Sequence, residues 1–443
     1  MTAHRRKRVG RIVGFALALH LAVAGTAVVL LQPEGSPRPA PAAASETRGP
    51  AQPATRAPSA FAAAPVPETT DARSTAVQAL LDRRATALLT RDRTGFLASV
   101  DPRATGVRAE QAALFDALAD VPLQEWGYAL VAGSDQEPDT RLTARYGTWW
   151  GTRVTLRHEI AGVDSESARS TQHLTFVQRG ASWYFASDDD FAGRGDVSQP
   201  GLWDGGPVVV RQAEHGLVLS HPGSESAARR IAAELDRAVP RVSAAVGPDW
   251  SQRVLVVLPG SVEELDRLVT TGASLTRIAA LAVAGPGPGG DRVFVNPAAL
   301  GRIGPTALRV VLTHEVTHVA AHRLGGPDTP LWLSEGLADH VGYLGADVPV
   351  GQAAAELRER IRAGRVPSAL PTDADFSGDN PDLALAYEGA WLAYELLVEQ
   401  RGEAGALRLY REVGTGTPLG EALGTSPAAF TAAWQDSLRS RLR

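Results

Sequence analysis

Apolar residues at Val77, Leu80, Leu81, Ala85, Leu88 and Leu89 recur at three- and four-residue steps. That period is one face of an α-helix. A second stretch of the same kind spans Ala112 to Leu118. The pattern then changes to alternating, β-rich segments at Ala129 to Val131, Arg141 to Tyr146, Thr152 to Ile160, Ser170 to Gln178 and Ser182 to Ala186. Turn signals separate them, among them Gly162 to Ser165 and Arg179-Gly180. After the Gly-rich stretch Gly193 to Pro207, strands are predicted at Val208 to Val210 and Leu217 to Ser220, and a long amphipathic helix at Ser226 to Val246. Arg253 to Leu258, RVLVVL, reads as a buried strand, and Ser261 with Glu264 three residues on as a capping box. Ala280 to Ala284 and Arg292 to Val295 predict two more strands around a Gly-Pro loop, Gly285 to Gly290. The second of them, ending in Asn296-Pro297, reads as a sheet edge. From Pro305 onward the chain is expected to be helical.

The N-terminal end follows a different rule. Arg5, Arg6, Lys7, Arg8 and Arg11 precede Ile12 to Leu31, a run without charge. Twenty residues at ~1.5 Å each span about one hydrocarbon core, ~30 Å. The basic flank predicts a cytoplasmic N-terminus and an extracellular remainder, that is, a single-pass signal anchor in the cell membrane. A cleaved signal peptide, with Ala22-Val23-Ala24 as its small-residue site, is the competing reading and predicts a secreted protein. Gln32 to Thr70 is rich in Pro, Ala, Ser and Thr and reads as a disordered spacer.

The expected organisation is therefore a membrane segment at 1–31, a linker at 32–70, an α+β domain at 71–192 and a second α+β domain at 205–443. Four hundred and forty-three residues leave room for two such domains. A net charge of -5 argues against a nucleic-acid partner, which needs a basic face. With no cysteine, the chain has neither a disulfide framework nor a thiolate site nor a cysteine nucleophile.

The chemistry is concentrated in LTHEVTHVAAH, Leu312 to His322. His314 and His318 are four apart, so a helix offers both rings to one ion. Glu315 lies beside them, placed to take a proton from an attacking water; this is the HExxH arrangement of zinc hydrolases. His322 lies ~12 Å along the axis from His314 and cannot share that ion, since a Zn–N bond is ~2.0–2.1 Å. A metzincin would need Gly at 321 and His at 324, where this chain has Ala321 and Leu324. The third ligand is expected from the next helix, with Thr329 as its N-cap and Pro330 as its first residue. That helix presents Glu335 and Asp339 four apart. Glu335 completes a His2Glu zinc site, and Asp339 accepts a hydrogen bond from the second nitrogen of a ligand histidine.

His314-Glu315-Val316-Thr317-His318 followed by Trp332-Leu333-Ser334-Glu335-Gly336-Leu337-Ala338-Asp339 resembles the gluzincin metallopeptidases of the thermolysin-like superfamily, most nearly their peptidase-MA-like branch. The resemblance implies Zn2+ held by His314, His318 and Glu335, Glu315 as general base and proton shuttle, and Asp339 orienting His314. It implies a peptide or protein substrate pairing with an edge strand, for which Arg292 to Asn296 stands in place. It also implies an oxyanion-stabilising Tyr or His, with Tyr387 in Ala386-Tyr387-Glu388-Gly389-Ala390-Trp391 as first candidate and His340 as second. By pattern alone, residues 71–192 resemble the cone-shaped NTF2-like domains, in which Trp149, Trp150, Trp183 and Tyr184 either line a pocket or fill the core. The fold expected is α+β: a transmembrane helix, an NTF2-like domain, then a small sheet followed by helices carrying the zinc site. The function expected is an exported, membrane-anchored metallopeptidase, against the alternative of an inactive metallopeptidase fold serving as a scaffold in the cell envelope.

Overall fold

The structure is a computed structural model and describes residues 72–443 except 270–274, 276–277, 284–289, 327–328 and 379. The expected membrane segment and linker lie outside the described residues, as does most of the loop 285–290. Among the described residues no helix is long and apolar enough to cross a membrane.

Three helices come first: α1 (Ala72–Leu89), α2 (Arg93–Ala98) and α3 (Thr105–Ala117). They pack on an antiparallel meander of β1 (Leu123–Leu130), β2 (Trp149–Ile160), β3 (Ala168–Arg179) and β4 (Ser182–Ser187), in the order β1-β2-β3-β4. Val77, Leu80, Leu81 and Leu88 on α1 are buried, as their spacing predicts. One expectation fails here. Arg141 to Tyr146 is not a strand but a helix, α4 (Thr140–Tyr146), because the Asp139 side chain caps it by accepting from the Arg141 and Leu142 amides. The strand before it is also longer than read, since Trp126 and Tyr128 both bury from β1.

A second, five-stranded sheet has the order β5-β6-β7-β9-β8: β5 (Val209–Ala213), β6 (Gly216–Ser220), β7 (Val254–Leu258), β8 (Ala280–Val283) and β9 (Arg292–Val295). β6, β7 and β9 are parallel, and the two outer strands run antiparallel to them. β9 therefore pairs on both sides, and the edge belongs to β8. Pro297 could not reveal this: it lies just past the strand and opens a short helix that Asn296 caps. The continuous apolar run of β7 has a plain cause, for the sheet is covered on both faces. Val254, Val256 and Leu258 enter one core with α5 (Glu225–Val246) and the C-terminal helices. Leu255 and Val257 enter the other, together with Trp126, Leu156 and Phe176 of the first sheet.

After β7, Ser261 caps α6 (Val262–Leu268) by accepting from the Glu264 amide. The return arm of the expected box goes elsewhere, since Glu264 accepts from the Gly260 amide and pairs with His221. The remainder is helical: α7 (Pro305–Ala321), α8 (Leu331–Tyr343), α9 (Ala355–Arg362), α10 (Leu383–Gly414) and α11 (Pro427–Arg441), with shorter turns between. α7 packs between α5, the β8 side of the sheet and α8, and α8 packs in turn on α10. That sandwich explains why nearly every α7 position from Ala307 to Ala321 is buried.

Candidate metal centre

Two helices and a reversal build the centre. α7 begins with Pro305 at its first position and carries His314, Glu315 and His318. The chain turns at Leu324 to Gly326, where close backbone contact with Gly414 leaves no room for a side chain at Gly326. α8 starts one residue later than the sequence suggested: Pro330 is its N-cap, and the Thr329 hydroxyl accepts from the Gly326 amide instead. Close approach of α10 fixes a second glycine, for a Cβ on Gly336 would meet the Ala390 carbonyl at 2.6 Å. On the side toward α7, a Cβ on Gly342 would meet the Val310 carbonyl at 3.1 Å, and this close approach sets α8 beside α7 with Glu335 and Asp339 facing His314.

His314 is fully buried. Its Nδ1 lies 2.9 Å from Asp339 Oδ1 and donates to it, so Nε2 is the nitrogen turned to the ion site. Before an ion binds, burial disfavours a charged ring, but Asp339, then Glu335 and Glu315, outweigh it and raise His314 well above its ordinary value. That Nε2 faces His318 Nε2 at 3.0 Å. Glu335 Oε2 lies 3.3 Å from His314 Nε2 and 3.3 Å from His318 Nε2. It is buried without a hydrogen-bond partner. His314, His318 and Glu335 are the one group of metal-ligating side chains found converging among the described residues.

The fit to a cation can be tested on these distances. Tetrahedral bonds of ~2.0–2.1 Å place neighbouring ligand atoms ~3.3 Å apart. The three observed separations, 3.0, 3.3 and 3.3 Å, match that spacing. Two nitrogens and one carboxylate oxygen are also the donor set of a zinc site with an open fourth position. The residues present therefore fit the ion.

Around them, Glu315 is 1% exposed and its Oε2 accepts from the Ala282 amide of the edge strand at 2.7 Å. Burial pushes Glu315 and Asp339 up from the usual carboxylate range. Burial acts on Glu335 the same way, but the charges and contacts of His318 and His314 outweigh it and hold Glu335 down at about 2. Tyr387 on α10 is buried, with its ring 6.4 Å from that of His314 and edge-on to Phe376 at 5.2 Å. It stands beside the centre. His340 does not: its Nδ1 lies 2.7 Å from Glu395 and its Nε2 2.8 Å from Glu403, on another face of α8. His322 also stays apart, 3.0 Å from Asp291.

Sequence reasoning missed two parts. The Ala282 amide that anchors Glu315 is a backbone group and left no side-chain signal. Glu388, next to Tyr387, caps α9 by accepting from the Glu356 and Leu357 amides, and burial raises it to about 8. Its only signal was an acidic residue within an apolar helix.

No family model matches the chain, and no curated protein does. Among solved structures, the M1 zinc metallopeptidase of Deinococcus radiodurans is 17% identical with a TM-score of 0.28, covering 73% of this chain and 71% of that one. A glutamate-to-alanine mutant of that enzyme is 18% identical with a TM-score of 0.29, covering 60% of this chain and 59% of that one. The mutant bound to a Tyr-Ser-Ala substrate is 17% identical with a TM-score of 0.27, covering 72% and 61%. This chain spans about six tenths of the mutant's length in the second alignment. Likeness at this level assigns no activity, and the ligand spacing above stands independently of it.

Proposed function

We propose that the chain is a zinc-dependent metallopeptidase of gluzincin type that hydrolyses peptide bonds with water. The carrying observation is the triangle of His314 Nε2, His318 Nε2 and Glu335 Oε2, with sides of 3.0, 3.3 and 3.3 Å, in a buried setting. His314, His318 and Glu335 hold the ion. Asp339 fixes the tautomer and the direction of His314. When bound there, zinc polarises a carbonyl and acidifies water.

Glu315 takes the proton of the attacking water and delivers it to the leaving amine. Its bond to Ala282 holds one oxygen still and leaves the other for that transfer. Tyr387 donates to the oxyanion that develops on the carbonyl. The substrate pairs in extended form with β8, not with Arg292 to Asn296 as the sequence suggested, because β9 is already paired on both sides. The outward amide of Ala282 points at Glu315, so a strand added there runs past the proton acceptor. Residues 12–31 anchor the protein in the membrane with 72–443 outside the cell.

Metal analysis of the full chain, followed by turnover of an unstructured protein such as casein, tests the reading. One zinc per chain with chelator-sensitive cleavage is the expected result, and a metal-free chain that cleaves would overturn it. A reporter fused to the C-terminus should be digested by protease added to intact cells; protection of the reporter would refute the export.

A further inference from the structure

Between the two sheets lies a cavity of about 220 Å³, lined by none of the proposed metal-site residues. Trp126, Tyr128 and His158 form its wall on the first sheet. Leu255 and Val257 of β7, Val283 of β8 and Arg292 and Phe294 of β9 form the wall opposite. Trp149, Trp150, Trp183 and Tyr184, the aromatic residues the sequence singled out, do not line it. An apolar cavity of ~150 Å³ holds benzene, so this space takes one ring with a short arm.

The polar part of the lining holds a cation that no carboxylate contacts among the described residues. Arg84 is 4% exposed. It donates to Ser99 Oγ at 2.9 Å and to Gln111 Oε1, and its guanidinium lies 3.8 Å from the centre of the Phe96 ring. All three partners are neutral, and no ion pair joins Arg84 to a carboxylate among the described residues. Arg292, also in the lining, shows the contrast: Asp164 pairs with it at 2.7 Å. A buried cation held by neutral groups is unfavourable, and a carboxylate entering beside it relieves that.

The other titratable groups leave room for such an anion. His158 stands between the Trp126 and Trp203 rings, and its Nδ1 has no partner. Burial, then the nearby Arg292, lowers it to about 3, so the ring is neutral near pH 7. Asp188 is the acid whose charge Arg84 feels across the cavity, but burial, with Asp189 and Glu110, outweighs that attraction and lifts its carboxyl toward the neutral form. Asp204 stands at the rim with its Oδ2 accepting from the Gly201 amide, and burial of its carboxyl, with the nearby Asp188, raises it to about 6.

Val283 of β8 and Arg292 of β9 complete the cavity, and Val283 adjoins Ala282, whose amide anchors Glu315. We propose that this cavity binds a compact aromatic monocarboxylate, with its ring in the apolar part and its carboxylate on Arg84, and that occupancy stiffens the strand holding Glu315. The consequence for turnover rests on the peptidase reading; the binding and the stiffening do not.

The test uses the full chain and three probes of one shape: phenylacetate, phenylacetamide and phenethylamine. Titration is followed by tryptophan fluorescence and calorimetry. Phenylacetate should bind saturably and at least about tenfold tighter than the other two, the scale of hydrogen bonds to a charged group. Arg84→Gln should remove that preference. Ala168→Phe, which fills the cavity and leaves Arg84 in place, should remove binding itself. Bound phenylacetate should slow hydrogen exchange at the Ala282 amide. Equal affinity for the three probes on the unaltered chain, preference for the amine, or binding retained in Ala168→Phe would overturn the site. Unchanged exchange at Ala282 would overturn the link to Glu315. None of these readouts needs zinc or cleavage, so their failure is separable from failure of the peptidase reading.

Discussion

α8 carries two histidine–carboxylate clusters on different faces, and only one of them fits a metal. On one face His340 meets Glu395 and Glu403 through its two ring nitrogens, at 2.7 and 2.8 Å. A doubly protonated ring supplies one donor to each carboxylate, and the cluster is complete. On the other face, His314 has given its Nδ1 proton to the bond with Asp339. His314 Nε2, His318 Nε2 and Glu335 Oε2 then converge on one point. One proton between them satisfies one pair and leaves the third atom unserved, as the unpartnered Glu335 oxygen shows. Residue types are nearly the same in the two clusters. What separates them is the balance of donors and acceptors: a surplus of convergent lone pairs suits a cation, and a matched set does not.

The largest expected effect falls on chemistry. Glu315→Gln keeps the bond to Ala282 within reach and removes the base. Turnover of an unstructured protein should fall by at least ~10²–10⁴-fold while zinc content stays at the wild-type level. Comparable cleavage by this variant would remove Glu315 from the mechanism. Next comes the metal. Glu335→Ala takes one corner from the triangle, and the purified chain should lose most of its zinc. Chelator should lower the Tm of the wild-type chain, because an ion bound to the folded state alone stabilises it, and leave that of Glu335→Ala unmoved. The matched change on the other face, Glu395→Ala, should leave zinc content untouched; loss of zinc there would erase the distinction between the clusters. A smaller effect is expected of Asp339→Asn, which keeps an acceptor for His314 Nδ1 and removes the charge. Metal affinity should weaken by ~10–100-fold in a competition with a chromogenic chelator.

The two faces also differ in how far the sequence revealed them. His314, Glu315 and His318 were legible because helical spacing alone puts them together, and Glu335 with Asp339 because a second helix had to follow a glycine-rich reversal. His340 was read as a candidate for the oxyanion because its partners, Glu395 and Glu403, lie more than fifty residues away and no local pattern announces them. The edge strand was misassigned for a related reason. Strand order depends on which strand inserts beside β7, and β8 and β9 are both four-residue, mainly apolar strands that give no local sign of it. Arg141 to Tyr146 failed on a cap: the Asp139 carboxylate outweighs a β-like run of Leu142, Thr143 and Tyr146. The cavity was beyond reach from sequence, since its walls come from two sheets and its charge stands out only once Arg84 is seen to be touched by no carboxylate.

The smallest effect is a pH dependence that belongs to the matched cluster. Burial opposes the charged form of His340, but the hydrogen bond and charge of Glu395, then those of Glu403, outweigh it and raise the ring above its ordinary value. Glu395 is shifted oppositely: burial favours its neutral form, and the bond to His340 overrides that and lowers it. A raised histidine contributes stability that is fully present below the unfolded value, ~6.5, and fades as pH rises through the folded value. A lowered carboxylate contributes stability that is present above the unfolded value, ~4.3, and fades as pH falls through the folded one. The pair is therefore strongest between ~4.3 and ~6.5. His340→Gln should destabilise the chain at pH 5.5 by about 1–2 kcal/mol, toward the low end because Glu403 is 63% exposed and screened. At pH 8.5 the difference between wild type and variant should be smaller. Urea denaturation of both proteins at the two pH values, with zinc saturating throughout, measures it, and the titration of the metal centre cancels in the comparison. A difference that grows from pH 5.5 to pH 8.5 would mean that His340 is held as a neutral ring, and the donor–acceptor balance that sets the two faces of α8 apart would fail on its simpler side.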